Sequence, residues 1–168
     1  MIHPLHLRRA IWDALRQMGS KFATDAALQL LLLIAAHESR AGRYLWQVDA
    51  DGKPRGPALG IFQMEAATHR DLWLNYVRWK PDYHAILAMA LGRNGGTLED
   101  LIAIGERALP VNLRYATTVA RLQLWRHPKP LPAPADIEGL ARYWHAAWCK
   151  GCAGTVEEAI ANYRRYVL

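Results

Sequence analysis

Phenylalanine, cysteine and acidic charge are all scarce in this chain, and no apolar stretch is long enough to cross a bilayer. Two Phe stand against seven Trp and seven Tyr in 168 residues. The aromatic complement is therefore almost wholly amphipathic, the kind favoured where one ring face is apolar and the other wet. A carbohydrate groove fits that surplus, and so does the core of a helical protein. The longest apolar run, near residues 28–36, is too short to span the hydrocarbon of a membrane. The N-terminus, Met-Ile-His-Pro-Leu-His-Leu-Arg-Arg, lacks the charged start, apolar stretch and small-residue cleavage site of a secretory signal. The expectation is a protein made in the cytoplasm without a signal peptide, which something else must export or release if it acts outside.

Cys149 and Cys152 are the only cysteines, in Cys-Lys-Gly-Cys. A structural zinc site needs four ligands, and only His127 and His145 lie near enough in sequence to complete one. Two ordinary thiols are the simplest reading, with a zinc site or a redox disulfide as the alternatives. No metal and no cofactor is expected. At this length one domain, 1–168, buries a full core without either staple.

Acids number 15 against 21 Lys and Arg, a net charge of +6. That balance points to an anionic partner: nucleic acid, acidic lipid or the bacterial cell wall. The basic residues fall in scattered pairs, Arg8-Arg9 and Arg164-Arg165, with no long run, zinc-finger spacing or aromatic RNA-binding motif. Nucleic acid is accordingly not the expected partner.

The periodicity is mostly helical. Leu7, Ile11, Trp12, Leu15 and Met18 form a stripe over 4–18 that stops at Gly19-Ser20. Thr24 or Asp25 caps a second helix that runs to about Glu38 and is apolar nearly all round, the mark of a central buried helix. Between Ala41 and Leu59, Asp49-Ala50-Asp51-Gly52 separates short β-prone stretches and predicts a small hairpin, the only sheet expected. Helices are predicted over 65–79, 81–91, 98–108, from Pro110 to about Arg126, and over 137–149. A last helix is opened by the capping box Thr155-Val-Glu-Glu158. The Pro-rich segment 127–135 is a stiff internal connector. No repeat or low-complexity segment interrupts the pattern.

Glu38 stands out against this background. It ends Leu-Leu-Leu-Leu-Ile-Ala-Ala-His-Glu, and a carboxylate at a helix C-terminus meets the negative end of the macrodipole. Two readings are open. One is a solvated helix end; the other is a carboxyl kept protonated by burial, able to donate a proton at neutral pH.

Glu38-Ser39-Arg40-Ala41-Gly42 resembles the Glu-Ser-x-Ala-Gly segment of goose-type lysozymes and the Glu-Ser of SLT-type lytic transglycosylases, and Gly60-Ile61-Phe62-Gln63 resembles their Gly-Leu-Met-Gln. Order, spacing and the helix-then-hairpin context agree over about 28–70. Further along, Asn112 with Tyr115-Ala116 is similar to the asparagine-led helix of the same superfamily. Ala141-Arg142-Tyr143-Trp144 falls where the family has Ala-x-Tyr-Asn, with Trp144 in place of the asparagine. The resemblance implies a mainly α (α+β) lysozyme-like domain, a helical bundle around a central buried helix with one small β-hairpin beside the cleft. It also implies cleavage of the β-1,4 bond between N-acetylmuramic acid and N-acetylglucosamine in peptidoglycan.

In that reading Glu38 is the general acid, since a glycosidic oxygen leaves poorly unless protonated as the oxocarbenium-like transition state forms. Ser39 would orient the carboxylate or a substrate group, although a helix-end serine equally serves as a backbone partner. Gln63 would bind the sugar's N-acetyl group or Glu38, Gly60 would let the glycan approach the backbone, and Tyr143 would bond to Glu38 or the glycan. A transglycosylase needs only the one acid, because the substrate's own 6-hydroxyl attacks. An inverting hydrolase needs a base roughly 6.5–9.5 Å away, and Asp49, Asp51 and Glu65 are the candidates. Asp51-Gly52 also reads as a turn, and Glu65 as a first-turn residue of the next helix. Size, charge and the missing signal suit a monomeric phage lysin that meets an anionic envelope after release or as part of a virion. The alternative is a non-catalytic glycan-binding or structural virion protein on the same scaffold.

Overall fold

The computed structural model describes residues 1–49, 51–149 and 151–168. Ala50 and Lys150, within the Asp-Gly turn and the Cys-Lys-Gly-Cys segment of the sequence reading, lie outside the described residues. Eight α-helices and a small three-stranded sheet make up the fold among those residues.

Helix α1, Pro4–Met18, starts on a proline in its first turn, buries Leu7, Ile11, Ala14, Leu15 and Met18, and ends at Gly19 with φ 110°. Helix α2, Asp25–Ser39, is capped by Thr24, whose Oγ1 accepts from the Ala27 N–H at 3.2 Å. Every residue from Leu30 to Ala36 is fully buried. Such a helix has no solvent face to keep polar, and it packs against α1 and three later helices: α6, Leu113–Trp125, α7, Ile137–Ala147, and α8, Val156–Tyr166. One continuous core joins them. No described helix is long and apolar enough to cross a membrane.

The end of α2 is unusual. Arg40, Ala41 and Gly42 have φ of 51°, 55° and 81°, three successive left-handed residues of which only the last is glycine. L-residues hold that conformation at a cost of order 1 kcal/mol each unless the surroundings fix it. Here the Ala41 N–H reaches back to the Ala35 carbonyl at 2.9 Å and the Ile2 N–H donates to the Ala41 carbonyl at 2.8 Å.

Strands β1, Trp46–Val48, β2, Pro54–Leu59, and β3, Met64–Glu65, run antiparallel in the order β1-β2-β3. The sheet is thus larger than the predicted hairpin: Gly60–Gln63 is a tight turn, closed by the Gln63 N–H to the Gly60 carbonyl at 3.1 Å, that returns the chain to pair Leu59 with Met64. Asp49 builds the β1–β2 connection by accepting at Oδ1 from the N–H groups of Asp51 and Lys53, each at 3.0 Å.

The predicted helix over 65–79 is divided. Helix α3, Ala66–Asn75, breaks at Tyr76 and is followed by a 3-10 turn at Val77–Trp79 and by α4, Pro81–Ala90. Helix α5 is Leu98–Ala108, capped by Thr97. Helix α6 begins at Leu113 and not at Pro110, because Asn112 is the cap: its Oδ1 accepts from the Tyr115 N–H at 2.9 Å while its Nδ2 donates to the Ala90 carbonyl at 3.1 Å. Segment 127–135 carries neither helix nor strand. Cys149 and Cys152 form a disulfide rather than two ordinary thiols, and no metal-binding cluster occurs among the described residues.

Candidate active site

A cleft of about 730 Å³ opens between the C-terminal end of α2, the sheet, and the segment that follows α7. Glu38 lies in its wall. The same cleft is lined by His37, Gln63, Glu65, Asp49 and Gln123, and by Trp148 and the Cys149–Cys152 disulfide.

The α2 run that makes Glu38 conspicuous in the sequence also determines its chemistry. It places the carboxyl at the edge of the core, where burial disfavours the charged form and pushes the pKa up to about 7. The opposing influence is a single hydrogen bond. Trp144 Nε1 donates to Glu38 Oε1 at 3.1 Å, favouring the carboxylate without cancelling the effect of burial. A carboxyl balanced in this way is protonated in a large fraction of molecules at neutral pH and can donate a proton to an oxygen in the cleft.

Trp144 is itself fully buried and held on its other side by His37, with ring centroids 4.6 Å apart. His37 Nδ1 lies 3.3 Å from Asn162 Nδ2 of α8, and burial lowers the His37 pKa, with Glu158 pulling in the opposite direction. The imidazole is therefore biased to its neutral form beside the acid.

Several predicted site residues have other occupations. Ser39 is fully buried: its Oγ lies 2.7 Å from the Ile61 carbonyl and 3.0 Å from the Ala35 carbonyl, and accepts from the Gly42 N–H at 2.9 Å. The expected substrate contact is corrected to a brace that ties the strained end of α2 to the Gly60–Gln63 turn. Gly60, at φ 76°, admits a close approach, but by the Leu109 carbonyl; a Cβ would collide with it. Gly60 does not line the cleft. Tyr143 does not bond to Glu38. Its hydroxyl donates toward the Leu124 and Lys129 carbonyls, at 3.4 and 3.3 Å, and the neighbouring indole of Trp144 reaches the acid instead.

Gln63 does line the cleft. Its backbone is left-handed, φ 48°, and its Nε2 donates to the Gly60 carbonyl at 2.8 Å, leaving the amide oxygen without a partner among the described residues. The candidate second carboxylates differ in their commitments. Asp49 lines the cleft with Oδ1 engaged in the β1–β2 turn, Asp51 is exposed and does not line it, and Glu65 lines it with no hydrogen bond or ion pair to its side chain among the described residues.

No local pattern marks His37, Gln123 and Trp148 as residues of the cleft. They are ordinary members of helical segments until the fold brings them to one cavity. No protein-family model, curated protein or solved structure gives a significant match to the chain.

Proposed function

We propose that this protein cleaves the β-1,4 bond between N-acetylmuramic acid and N-acetylglucosamine in peptidoglycan, on a lysozyme-like fold, with Glu38 as the general acid. The observation that carries the reading is the Glu38 carboxyl: held near pKa 7 by burial, on the wall of a cleft large enough for a sugar polymer. Protonation of the glycosidic oxygen requires such a group, because an alkoxide leaves too poorly at neutral pH. The Glu38-Ser39 and Gly60-Ile61-Phe62-Gln63 resemblance supplies the substrate class.

Trp144 positions the acid and tunes it. Gln63 offers an amide oxygen to an N-acetyl N–H of the glycan. If water is the nucleophile, Glu65 is the preferred base, since its carboxylate is uncommitted while one oxygen of Asp49 is occupied by the turn. If the sugar's 6-hydroxyl attacks, Glu38 first gives and then takes the proton alone. The basic charge and the resemblance together favour a phage lysin acting in bacterial lysis.

Digestion of purified peptidoglycan followed by mass spectrometry of the released muropeptides tests the reading. Reducing ends identify a muramidase and 1,6-anhydro ends a transglycosylase. No release from peptidoglycan that a control muramidase digests refutes both and leaves a non-catalytic glycan binder.

A further inference from the structure

The aromatic surplus has a second concentration away from the cleft. Lys21 and Phe22 between α1 and α2, the segment Tyr76–Lys80 and Tyr83 on α4 form a belt of rings and cations. Lys21 Nζ lies 5.0 Å from the Phe22 ring centroid and 5.2 Å from that of Tyr83. Lys80 Nζ lies 5.2 Å from Tyr76 and 5.7 Å from Tyr83, so two ammonium groups share the Tyr83 ring. The Arg78 guanidinium stands 4.5 Å from the Trp79 ring, and Trp79 is 69% exposed. Lys21, Trp79, Lys80, Asp82 and Tyr83 border a shallow groove of about 320 Å³ that shares no residue with the cleft.

Lys21, Arg78 and Lys80 form no ion pair among the described residues. Their partners are ring faces, and one carboxylate, Asp82, stands in the groove against them. Arg126, which also reaches the Tyr76 ring, has its charge met by Asp71 at 2.7 Å. The face is therefore cationic, with one large indole, Trp79, presented to solvent. Tryptophan and tyrosine interleaved with Lys and Arg is the combination stabilised at a membrane–water boundary, where the ring sits at headgroup level and the cations meet phosphate oxygens. A single-stranded nucleic acid would instead need open ring faces to stack its bases. Here Trp79 alone of the four rings is largely exposed, with Arg78 over it, while Tyr76 and Tyr83 are half-buried and Phe22 is fully buried, so successive bases have no run of open rings to stack on.

We propose that Lys21, Arg78, Trp79 and Lys80 form a docking surface for an anionic phospholipid bilayer, with Trp79 entering the headgroup layer. The surface shares no residue with the glycan cleft and acts independently of it.

Co-sedimentation with vesicles of phosphatidylglycerol and phosphatidylcholine, against vesicles of phosphatidylcholine alone, tests this. The wild-type protein binds the anionic vesicles and is released by salt, whereas it leaves the zwitterionic ones in suspension. Trp79→Ala and the pair Lys21→Ala/Lys80→Ala each weaken partitioning, by roughly fivefold per cation for the lysines. The pair Arg93→Ala/Arg107→Ala, which removes the same charge elsewhere, changes it by less than about twofold. Circular dichroism confirms that all variants fold. Equal binding to both vesicles, unchanged binding by the groove variants, or an equal loss in the Arg93/Arg107 control would overturn the proposal. So would loss of single-stranded DNA binding in the groove variants with vesicle binding intact.

Discussion

The indole N–H of Trp144 donates a 3.1 Å hydrogen bond to Glu38 Oε1, joining α7 to the end of α2 across 106 positions of sequence. Burial raises the Glu38 pKa to about 7 and this bond opposes it, so the proton affinity of the acid is a balance between the two. Trp144→Phe keeps an aromatic ring in the core, at the cost of some volume, and removes the donor. The Glu38 pKa then rises further, the alkaline limb of the activity profile moves to higher pH, and the unanchored carboxyl lowers kcat by roughly tenfold, in line with a hydrogen bond to a charged group. A pH–rate profile of the variant checks it; an alkaline limb that stays in place or moves down contradicts the assignment.

Glu38 also makes stability depend on pH. Its carboxyl gives up its proton near 4.5 when unfolded and near 7 when folded, so the fold favours the protonated form. That stabilisation is complete below about pH 4.5 and disappears as pH rises through 7. Glu38→Gln cannot ionise and escapes the loss. It is expected to match the wild type near pH 4 and to exceed it at pH 8.5 by up to about 3 kcal/mol, at about 1.4 kcal/mol per pKa unit. Urea denaturation at the two pH values measures the difference, and an equal gain at both would rule out titration of Glu38 as its source.

Ser39 is a brace and not a ligand, so its removal acts through the fold. Ser39→Ala leaves the Gly42 N–H and the Ile61 carbonyl without this partner at the strained turn. The expected loss is about 2 kcal/mol, or a Tm lower by about 4–8 °C. KM for glycan stays unchanged below the transition, whereas a raised KM with an unchanged Tm would restore the substrate role.

The Cys149–Cys152 disulfide lines the same cleft as Glu38. It closes a loop of four residues, for which the loss of unfolded-chain entropy predicts about 2 kcal/mol of stabilisation. Replacing both cysteines with serine, or adding dithiothreitol, lowers Tm to the same extent. A calorimetric scan in which reductant has no effect on the wild type would show that the bond contributes nothing to stability.

The helices were largely legible because their boundaries carry local chemistry. Thr24 and Thr155 accept at the N-termini where the sequence places caps, and the unbroken apolar run of α2 announces its burial. Strand β3 escaped detection because two residues, Met64–Glu65, have no periodicity to read. The start of α6 lies beyond the expected Pro110, a favourable first-turn residue, because the Asn112 side chain two positions on accepts from the free N–H of Tyr115. Within the site, Glu38 and Gln63 were legible from their neighbours in sequence. Trp144 was not, since its value lies in a contact that only the packing of α7 on α2 creates. Gly60 was singled out for a close approach and makes one, but with the Leu109 carbonyl, a partner that local reading cannot name.

The role of Glu38 is decided by the rate at which wild-type protein and Glu38→Gln release soluble muropeptides from purified peptidoglycan at pH 6. Glycan-strand cleavage by the wild type is expected, with a loss of roughly a hundredfold or more in the variant, the contribution of a positioned general acid, and with circular dichroism showing the variant folded. Release by folded Glu38→Gln at the wild-type rate would contradict that role.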